Sequence, residues 1–502
     1  MRERTFGAEI EKSITNIKTG LPHGVSPNFF KSLINIHEKN GFNPIMDFAG
    51  NTIIGVKTNQ FGEQGLDNGF NLQETSIPYQ SSLESLAELM KVDLQMVQEA
   101  LENEGASVIN MSIHPLGKRD LETYKAFVAP KGIYPYLWYR GWDHTAGIDA
   151  RAQNSPSTGV EVYEAARACS VIIGAGAAFI GLFANSPFEE GRPSSYKESR
   201  LTMWDRMMKY SKVSGDRRVS QFPEQPFHNL SQYFNWMFGK DTAIHFVLSG
   251  GANEEYKNVG DRILVIPSNP SVINYLKGKS WQAIRLRDLF NSFPPQPVVV
   301  EPQIDHFVAM QFAQFASARI RFSLNSENFP LDDFISALED IHTTKVEEIF
   351  NQFATSMWIE GRDPGANFPD QELLNMGEDV AQSVIIAPSA IQAGLIRNLD
   401  EAWSYLNQYP WEMLRELRNK SIQDGLQGEI AGLSVYNFAS KILEIAARGL
   451  SQQEQRLLRY PLWVLQNKAN GADRALKFVD KHGGPLNKSL IDLVKSRRVI
   501  VK

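Results

Sequence analysis

Cysteine is almost absent from this sequence of 502 residues, which contains one, Cys169. A single cysteine cannot form an internal disulfide, so redox control through such a bond is excluded. With scattered histidines it also argues against a zinc site of the Cys/His type. Cys169 lies in the apolar stretch ARACSVIIGAGAAF, which predicts a buried thiol that packs as a small hydrophobic side chain. A reactive thiol is the alternative.

Long hydrophobic runs and an excess of positive charge are lacking too. The most apolar run, from Cys169 to Ala184, has about 16 residues and three glycines, fewer residues than the roughly 20 that a membrane-spanning helix needs. The first residues, MRERTFGAEIEKS, contain no hydrophobic signal core. The formal net charge is −6, without a lysine-rich run, whereas nucleic-acid binding depends on concentrated positive charge. We therefore expect a cytoplasmic protein without a membrane or nucleic-acid partner.

The length allows two or three domains, or one large catalytic domain with inserted helices. We expect the second arrangement, with a single catalytic domain over residues 1–502. Proline- and glycine-rich segments such as QFPEQPFHN and SFPPQPVVVEP predict a loop-rich insertion at about 210–355. Helical periodicity predicts a helical C-terminal part at about 380–502.

Two acidic residues alternate with apolar ones near the N-terminus, in the segment FGAEIEK. As a strand, this segment places Glu9 and Glu11 on one face and Ala8 and Ile10 on the other. Two neighbouring carboxylates repel each other unless a cation lies between them, and oxygen ligands suit Mg²⁺. The alternative, commoner for acidic residues, is a half-solvated strand whose acids face water. Glu74 lies on a strand predicted after the turn Asp67-Asn68-Gly69, and taken alone it would be an acid on an edge strand.

The stretch from Gly181 to Trp204 follows an apolar helix predicted from Val160 through Ala184. The chain must turn at Asn185-Ser186-Pro187, because Pro187 lacks the N–H that a continuing helix needs. Arg200 and Trp204 then follow four residues apart, which on a helix places them on one face. Arg200 is a candidate for binding a carboxylate or a phosphate. The alternative is a surface helix whose arginine packs along its own tryptophan.

Three further segments carry candidate binding residues. In WDHTAGIDARAQN, alternation places Asp149 and Arg151 on one face, where the acid would bind an ammonium group and the guanidinium a carboxylate; a plain salt bridge is the alternative. The predicted strand FASARIRFSL presents Arg319 and Arg321 on one face, suited to polyphosphate. The segment WIEGRD carries Glu360 and Arg362 two residues apart.

The string FANSPF, followed by EEG and then by Arg200 and Trp204, resembles a motif of the glutamate-cysteine ligase family in its plant and bacterial branches. There an ANSPF-x-x-G turn precedes an R-x-x-x-W segment. Gly7, Glu9 and Glu11 match the G-x-E-x-E strand of that family. The resemblance covers roughly Phe6 to Asp473 with gaps in the middle third. The sequence departs from the family at Asp149 and Arg151, where relatives carry His, Gln or Asn.

This resemblance implies an α+β fold of the glutamine-synthetase-like type, in which a curved antiparallel β-sheet cups the active site and helices surround it. It implies that carboxylates bind Mg²⁺ and that arginines bind ATP. The implied metal ligands are Glu9, Glu11, Glu74 and Glu360; the implied ATP-binding residues are Arg319, Arg321 and Arg362; the candidates for substrate binding are Asp149, Arg151, Arg200 and Trp204. Arg200 and Arg362 are the candidate catalytic residues.

The activity implied is the ATP-dependent joining of the γ-carboxylate of glutamate to the amine of cysteine, through γ-glutamyl phosphate, with release of ADP and phosphate, as in glutathione biosynthesis. The sequence contains no P-loop and no G-x-S-x-G motif, so metal and arginines would hold the nucleotide. Two alternatives remain open: a ligase of the same mechanism with another amino acid or amine as acceptor, and a non-catalytic binding protein. Glu9, Glu11 and Glu74 argue against the second, because a binding protein needs no such set.

Overall fold

The computed structural model describes residues 4–37, 41–47, 51–58, 60–66, 69, 71–147, 151–249, 262–291, 295–311, 315 and 317–501. Its strands are β1 (Phe6–Asn16), β2 (Asn43–Met46), β3 (Ile53–Thr58), β4 (Gly62–Leu66), β5 (Leu72–Gln80), β6 (Ala106–Val108), β7 (Asn154–Gly159), β8 (Phe188–Glu189), β9 (Arg192–Pro193), β10 (Val247–Leu248), β11 (Ile263–Val265), β12 (Trp281–Arg285), β13 (Pro297–Val300), β14 (Ala318–Leu324), β15 (Ala354–Gly361), β16 (Glu429–Ile430) and β17 (Leu433–Ser434).

The helices are α1 (Pro27–His37), α2 (Leu83–Glu102), α3 (Leu121–Phe127), α4 (Ile133–Arg140), α5 (Ala165–Gly174), α6 (Gly176–Phe183), α7 (Met203–Met208), α8 (Leu230–Phe238), α9 (Val272–Lys277), α10 (Leu286–Asn291), α11 (Ile304–Ala309), α12 (Leu331–Glu339), α13 (Lys345–Phe353), α14 (Gln371–Met376), α15 (Glu378–Ser383), α16 (Ala387–Arg397), α17 (Leu399–Leu406), α18 (Trp411–Asp424), α19 (Val435–Arg448), α20 (Arg459–Asn467), α21 (Gly471–His482) and α22 (Leu486–Ser496).

Nine strands form the main sheet, in the order β14-β15-β7-β1-β5-β4-β3-β2, with β6 paired to β1. Every pairing in it is antiparallel, and helices from the rest of the chain pack against it. The predicted class, an antiparallel sheet with surrounding helices, is therefore confirmed.

The register of the central strands gathers acidic side chains on one face of the sheet. Glu11 of β1 lies opposite Glu74 of β5, and Glu9 lies opposite Ser76, which in turn pairs with Glu63 of β4. Residues directly opposite each other in an antiparallel pair present their side chains on the same face, with Cβ atoms about 5 Å apart. Four glutamates from three neighbouring strands therefore share this face.

The opposite face of β1 is apolar except at one position. Ala8, Ile10 and Ile14 are buried there, as the period-two pattern predicts, and Lys12 is buried with them. Helix α2 packs over this side through its buried residues, which recur at helical spacing. It also supplies Asp93, the ion-pair partner of Lys12. Because α2 covers this face, a binding site on these strands must lie on the face that carries the glutamates.

The C-terminal helices join the sheet through α16. Gln392 is fully buried, and its Nε2 donates to the carbonyl oxygens of Pro156 on β7 (3.1 Å) and Ile359 on β15 (3.0 Å). One side chain of α16 therefore satisfies groups on two neighbouring strands of the main sheet. From Ala387 to Ser496 the described elements are mainly helices, α16 to α22, with the short strands β16 and β17 between them.

Several sequence predictions of local structure need correction. The apolar helix predicted to end at Ala184 is two helices, α5 and α6, bent by 47° at their break. Arg200 and Trp204 do not share a helix, because Ser199–Thr202 form a 3₁₀ helix and α7 begins only at Met203. The predicted insertion at about 210–355 is richer in regular structure than its prolines suggest. It contains a four-stranded sheet, β10 to β13, and also β14, a strand of the main sheet.

The turn after the apolar helix forms as predicted. Strands β8 and β9 make a two-residue hairpin whose central residues, Glu190 (φ 49°) and Gly191 (φ 77°), both have positive φ. Such turns match the twist of the flanking strands and favour glycine. Within the described part of the chain no single helix has the length and apolar character to cross a membrane; only the bent pair Val162–Gly174 and Gly176–Phe183 passes on those two criteria.

Candidate active site

A cavity of about 360 Å³ lies against the glutamate-bearing face of the sheet. Strands β1, β4, β5 and β14 form its floor, and residues from α4, α7 and the segments around them form its walls. Its charged lining is divided: four glutamates line it, and so do the guanidinium groups of four arginines. These eight residues are Glu9, Glu11, Glu63, Glu74, Arg151, Arg319, Arg321 and Arg362. Lys131 also lines the cavity, and its Nζ donates to the carbonyl oxygen of Leu66 (2.7 Å).

The acidic part of the lining, here called the acidic wall, consists of Glu9 and Glu11 on β1, Glu63 on β4 and Glu74 on β5. Glu11 is buried, and its Oε1 accepts a hydrogen bond from Gln153 Nε2 (3.1 Å). Burial raises the pKa of Glu9, and the neighbouring negative charge of Glu360 raises it further. A carboxyl group in this state gains from a nearby cation. Sequence reasoning missed Glu63, because the segment GEQGL shows no motif; its period of two is its only signal.

The basic part of the lining surrounds Glu360, which pairs with Arg319 across β14 and β15. Glu360 Oε1 accepts from Arg319 Nη2 and Arg362 Nη1, each at 2.7 Å, and Oε2 accepts from Arg321 Nη1 at 3.3 Å. Burial alone would raise the pKa of Glu360, but the three guanidinium groups hold it well below its usual range. Three positive charges around one carboxylate leave this end of the cavity with a net positive charge.

Two stacked aromatic rings lie between two guanidinium groups beside this cluster. The guanidinium carbon of Arg151 lies 4.5 Å from the ring centre of Trp204, which stacks on Phe315 with centroids 4.1 Å apart and planes 11° apart. The next layer is Arg362, 5.4 Å from the ring of Phe315. Stacking on aromatic faces is a favourable environment for arginine, so the rings fix the direction of both guanidinium groups. Trp204 and Arg151 both line the cavity.

Arg200 lies behind the cavity and is not part of its lining. It is fully buried and donates from Nε to Glu198 Oε1 (2.7 Å), from Nη1 to Gln153 Oε1 (2.9 Å) and from Nη2 to the carbonyl of Asp363 (2.7 Å). Gln153 in turn donates to Glu11. Arg200 is therefore connected to Glu11 of the acidic wall through Gln153. From this place it can position Glu11 without lining the cavity.

The motif around Asn185 supports this buried network. The backbone N–H of Asn185 donates to Glu198 Oε2 (2.6 Å), and its side chain donates to the carbonyl oxygens of Asn110 and Ala366. The turn therefore places Glu198 where it pairs with Arg200. Sequence reasoning identified the motif but assigned its arginine to the substrate, because burial of a charged pair leaves no signal in residue spacing.

The third side of the cavity is aromatic and apolar. It consists of Tyr134, Leu137, Trp142, Met207, His245 and Phe246, here called the aromatic wall. Burial, followed by the positive charge of Arg140, lowers the pKa of His245 to about 4, so this imidazole is neutral at physiological pH. Sequence reasoning missed this wall, since its members come from segments more than 100 residues apart in the chain.

Asp149, a predicted substrate-binding residue, lies outside the described residues. Cys169 is not part of the lining. It is buried in α5, and burial raises the pKa of its thiol, so it packs as the small hydrophobic side chain that was expected.

The donor chemistry of the acidic wall suits magnesium. Its ligands would be carboxylate oxygens only, and Mg²⁺ usually takes one or two carboxylates and completes its shell with phosphate oxygens and water. Among the described residues, no group of three Asp, Glu, His or Cys side chains is assembled closely enough to hold a metal alone. Glu9, Glu11 and Glu74 fit such an ion together with a polyphosphate, whereas both oxygens of Glu360 are engaged by arginines.

Comparison with known proteins agrees with the resemblance seen in the sequence. The model of Glutamate-cysteine ligase family 2 (GCS2) matches residues 67–293, which confirms the predicted resemblance over that segment and supports a carboxylate-amine ligase. The matched segment contains Glu74, Arg151, Arg200, Trp204 and the aromatic wall. No curated protein sequence gives a significant match.

Two solved structures show a loose overall similarity. One is glutamate-cysteine ligase from Francisella tularensis in complex with AMP, with 11% identity, a TM-score of 0.47, and coverage of 98% of this chain and 88% of that chain. The other is a bifunctional glutathione synthetase from Pasteurella multocida, with 11% identity, a TM-score of 0.45, and coverage of 98% of this chain and 51% of that chain.

Proposed function

We propose that this protein is an ATP-dependent carboxylate-amine ligase that activates the γ-carboxylate of glutamate as γ-glutamyl phosphate and releases ADP. The observation that carries the proposal is one cavity with four glutamates on its floor and three arginines gathered at Glu360. The family whose model matches residues 67–293 indicates cysteine as the amine acceptor, and thereby a place in glutathione biosynthesis.

The first chemical step transfers a phosphoryl group. An oxygen of the glutamate γ-carboxylate attacks the γ-phosphorus of ATP, and the bond from that phosphorus to the β–γ bridging oxygen breaks, so that ADP leaves with the electron pair. Arg319, Arg321 and Arg362 are fixed by Glu360 and need little reorganisation to stabilise the charge on the phosphoryl oxygens. This assigns the three arginines to phosphate binding, and Arg362 to the transferring group.

The second step forms the amide. The lone pair of the acceptor nitrogen attacks the acyl carbon, the bond from carbon to the phosphate oxygen breaks, and phosphate leaves while the nitrogen gives up a proton to solvent. An acyl phosphate is also open to attack by water. The aromatic wall keeps one side of the cavity apolar, which disfavours water beside the intermediate.

The acidic wall would hold magnesium through Glu9, Glu11 and Glu74, with Glu63 beside them. When bound, Mg²⁺ neutralises the polyphosphate and draws electron density from the phosphoryl oxygens. Arg200 contributes by fixing Gln153, which orients Glu11 through its amide. Its predicted role in binding substrate is thereby replaced by one in positioning.

The experiment is a measurement of ADP release from Mg-ATP with glutamate, alone and with cysteine or other amines. We expect release only when glutamate and an acceptor are both present, and a loss of about 100-fold or more in Glu11→Gln, because one ligand to the polyphosphate-bound metal is removed. Glu429→Gln, at an exposed position far along the chain, is the matched control and should behave as the wild type.

Two outcomes would favour the alternatives. Turnover with other acceptors but none with cysteine would keep the mechanism and change the acceptor, with Arg151 as the described specificity candidate. Failure to bind Mg-ATP, together with absence of ADP release for every acceptor, would leave a non-catalytic binding protein.

A further inference from the structure

The aromatic wall has no part in phosphate or metal binding as assigned above. None of its six residues carries a charge at neutral pH, since His245 is neutral. A charged substituent placed against it would lose hydration without gaining an oppositely charged partner from these six residues, which is costly, whereas an apolar substituent gains by leaving water. The wall therefore fits an apolar part of a substrate.

The wall is held rigidly in place from behind. The indole Nε1 of Trp142 donates to Asp216 Oδ2 (2.8 Å), and the Trp142 ring meets His245 edge-on with centroids 5.4 Å apart. Arg140 binds the same aspartate through Nε (2.7 Å to Oδ2) and Nη2 (2.6 Å to Oδ1). A preformed apolar surface of this kind binds a ligand without the entropy loss that ordering the surface would cost.

Helix α7 connects the aromatic wall to the ring on which Arg151 lies. Trp204, on which Arg151 lies, and Met207 are three residues apart on α7 and both line the cavity. The carbonyl of Met207 accepts from the backbone N–H of Asp143 (2.9 Å), next to Trp142. Arg151 therefore lines the same cavity as the aromatic wall, and the stacked rings of Trp204 and Phe315 separate its guanidinium group from that of Arg362.

We propose that Arg151 binds the α-carboxylate of the acceptor amino acid and that the aromatic wall binds its side chain, so that the preferred acceptors are α-amino acids with side chains bulkier than that of cysteine, branched aliphatic or aromatic. This inference rests on the proposed function. Each further buried methylene contributes about 0.8 kcal/mol, equivalent to about fourfold in kcat/KM.

The test is a series of acceptors of increasing apolar size, assayed by ADP release at saturating glutamate and Mg-ATP. Alanine, 2-aminobutyrate, cysteine, leucine and phenylalanine form the series. We expect kcat/KM to rise along it, with leucine or phenylalanine at least tenfold above cysteine. A maximum at cysteine or alanine would overturn the inference but leave the proposed function standing. Absence of ADP release with every acceptor would overturn both.

Substitution of Leu137 separates this inference from its main rival, in which the wall stacks on the adenine of ATP. Leu137 lines the cavity from α4 and is only partly buried, so Leu137→Trp fills space without disturbing the core. We expect the ratio of kcat/KM for phenylalanine over alanine to fall at least tenfold. Tyr139→Ala, at an exposed position of the same helix, should leave the ratio unchanged. An unchanged ratio in Leu137→Trp with a raised KM for ATP would assign the wall to adenine.

A second variant tests the carboxylate contact independently. Arg151→Gln removes the charge but keeps hydrogen-bonding capacity. We expect it to lower kcat/KM for leucine at least tenfold relative to isopentylamine, which has the same side chain without the carboxylate. Equal losses for leucine and isopentylamine would show that Arg151 does not bind the α-carboxylate.

Discussion

Glu9 and Glu360 lie close enough to influence each other, yet their ionisation differs. Burial and the charge of Glu360 raise the pKa of Glu9, whereas three arginines overcome the effect of burial at Glu360 and lower its pKa. The arginine-bound carboxylate is fixed as an anion, and the other gains most from an added cation. This difference separates a structural counter-ion from a metal-ligand candidate, although the sequence resemblance placed both in one metal site.

The residues that could be predicted are those whose neighbours along the chain define them. Period-two alternation correctly placed Glu9 and Glu11 on one face, and the same holds for Arg319 and Arg321. Their functional roles stay predictions. Gln153 and Glu198 could not be found in this way, because their importance lies in hydrogen bonds to Arg200, and such contacts leave no pattern in local spacing.

His114 gives a prediction for the pH dependence of stability. It is buried; its Nδ1 accepts from the backbone N–H of Leu116 (3.2 Å), so Nε2 carries the proton and lies 3.1 Å from Thr15 Oγ1. Burial lowers its pKa to about 3 from the ordinary 6.5. The unfolded state therefore binds the proton first as pH falls, so the stabilisation is complete above about pH 6.5 and is lost progressively below it.

Between about pH 7.5 and pH 5, His114 should lower the free energy of unfolding by about 2 kcal/mol, at about 1.4 kcal/mol per pH unit below 6.5. We expect this part of the decrease to be absent in His114→Gln. Urea unfolding at the two pH values measures it, with His342→Gln, in an exposed turn, as control. The same pH dependence in wild type and His114→Gln would show that His114 titrates normally in the folded protein.

Among the elements, the strands with regular alternation were predicted best. The strands carrying Glu9, Glu74, Arg319 and Glu360 are present as β1, β5, β14 and β15. The apolar helix predicted from Val160 through Ala184 is two helices, α5 and α6, and the helix predicted to carry both Arg200 and Trp204 begins only at Met203. Local propensity determines neither of these boundaries, because tertiary packing overrides it.

A buried polar network connects α2 to the strands of the acidic wall. Lys12 Nζ lies 2.9 Å from Asp93 Oδ2 and donates to Gln73 Oε1 (2.8 Å) and Thr75 Oγ1 (2.9 Å), and Gln64 Nε2 donates to Asp93 Oδ1 (2.6 Å). These residues come from β1, β5, β4 and α2. The network therefore lies on the same strands as the four glutamates but on the opposite face of the sheet.

Removal of Lys12 from its buried ion pair with Asp93 should destabilise the folded protein. We expect Lys12→Met to lower the free energy of unfolding by about 3–5 kcal/mol, because Asp93 stays buried without its cation. In the double variant with Asp93→Asn, no uncompensated charge remains, so it should be more stable than the sum of the single effects predicts by at least about 1 kcal/mol. Urea denaturation of the four proteins provides the cycle; strictly additive losses would show that the two charges are not coupled.

At the scale of the whole molecule, the site exists only because the sheet order brings distant segments together. Glu11, Glu74, Arg151 and Arg319 all line one cavity, although they span more than 300 residues of sequence. Strand order β14-β15-β7-β1-β5-β4 places the arginines on one side of β1 and the glutamate strands on the other. No local pattern encodes such long-range pairing, so from sequence alone the grouping rested on the family resemblance.

The division of charge across the cavity is also a property of the whole sheet. Acids come from β1, β4 and β5, and the arginines that we propose bind phosphate come from β14 and the position after β15. Polyphosphate and the metal that accompanies it require opposite charges on opposite sides of one small space. This arrangement supports the acyl phosphate mechanism that we propose for the site.

The most direct test of that mechanism follows the oxygen atoms of glutamate. Glutamate labelled with a heavy oxygen isotope in its γ-carboxylate is incubated with the protein, Mg-ATP and an acceptor, and the released phosphate is analysed by mass spectrometry. Activation as γ-glutamyl phosphate predicts one labelled oxygen in each phosphate released, and none in the Glu11→Gln protein. Release of unlabelled phosphate at the rate of ADP formation would contradict the account, because the γ-phosphoryl group would then have gone to water.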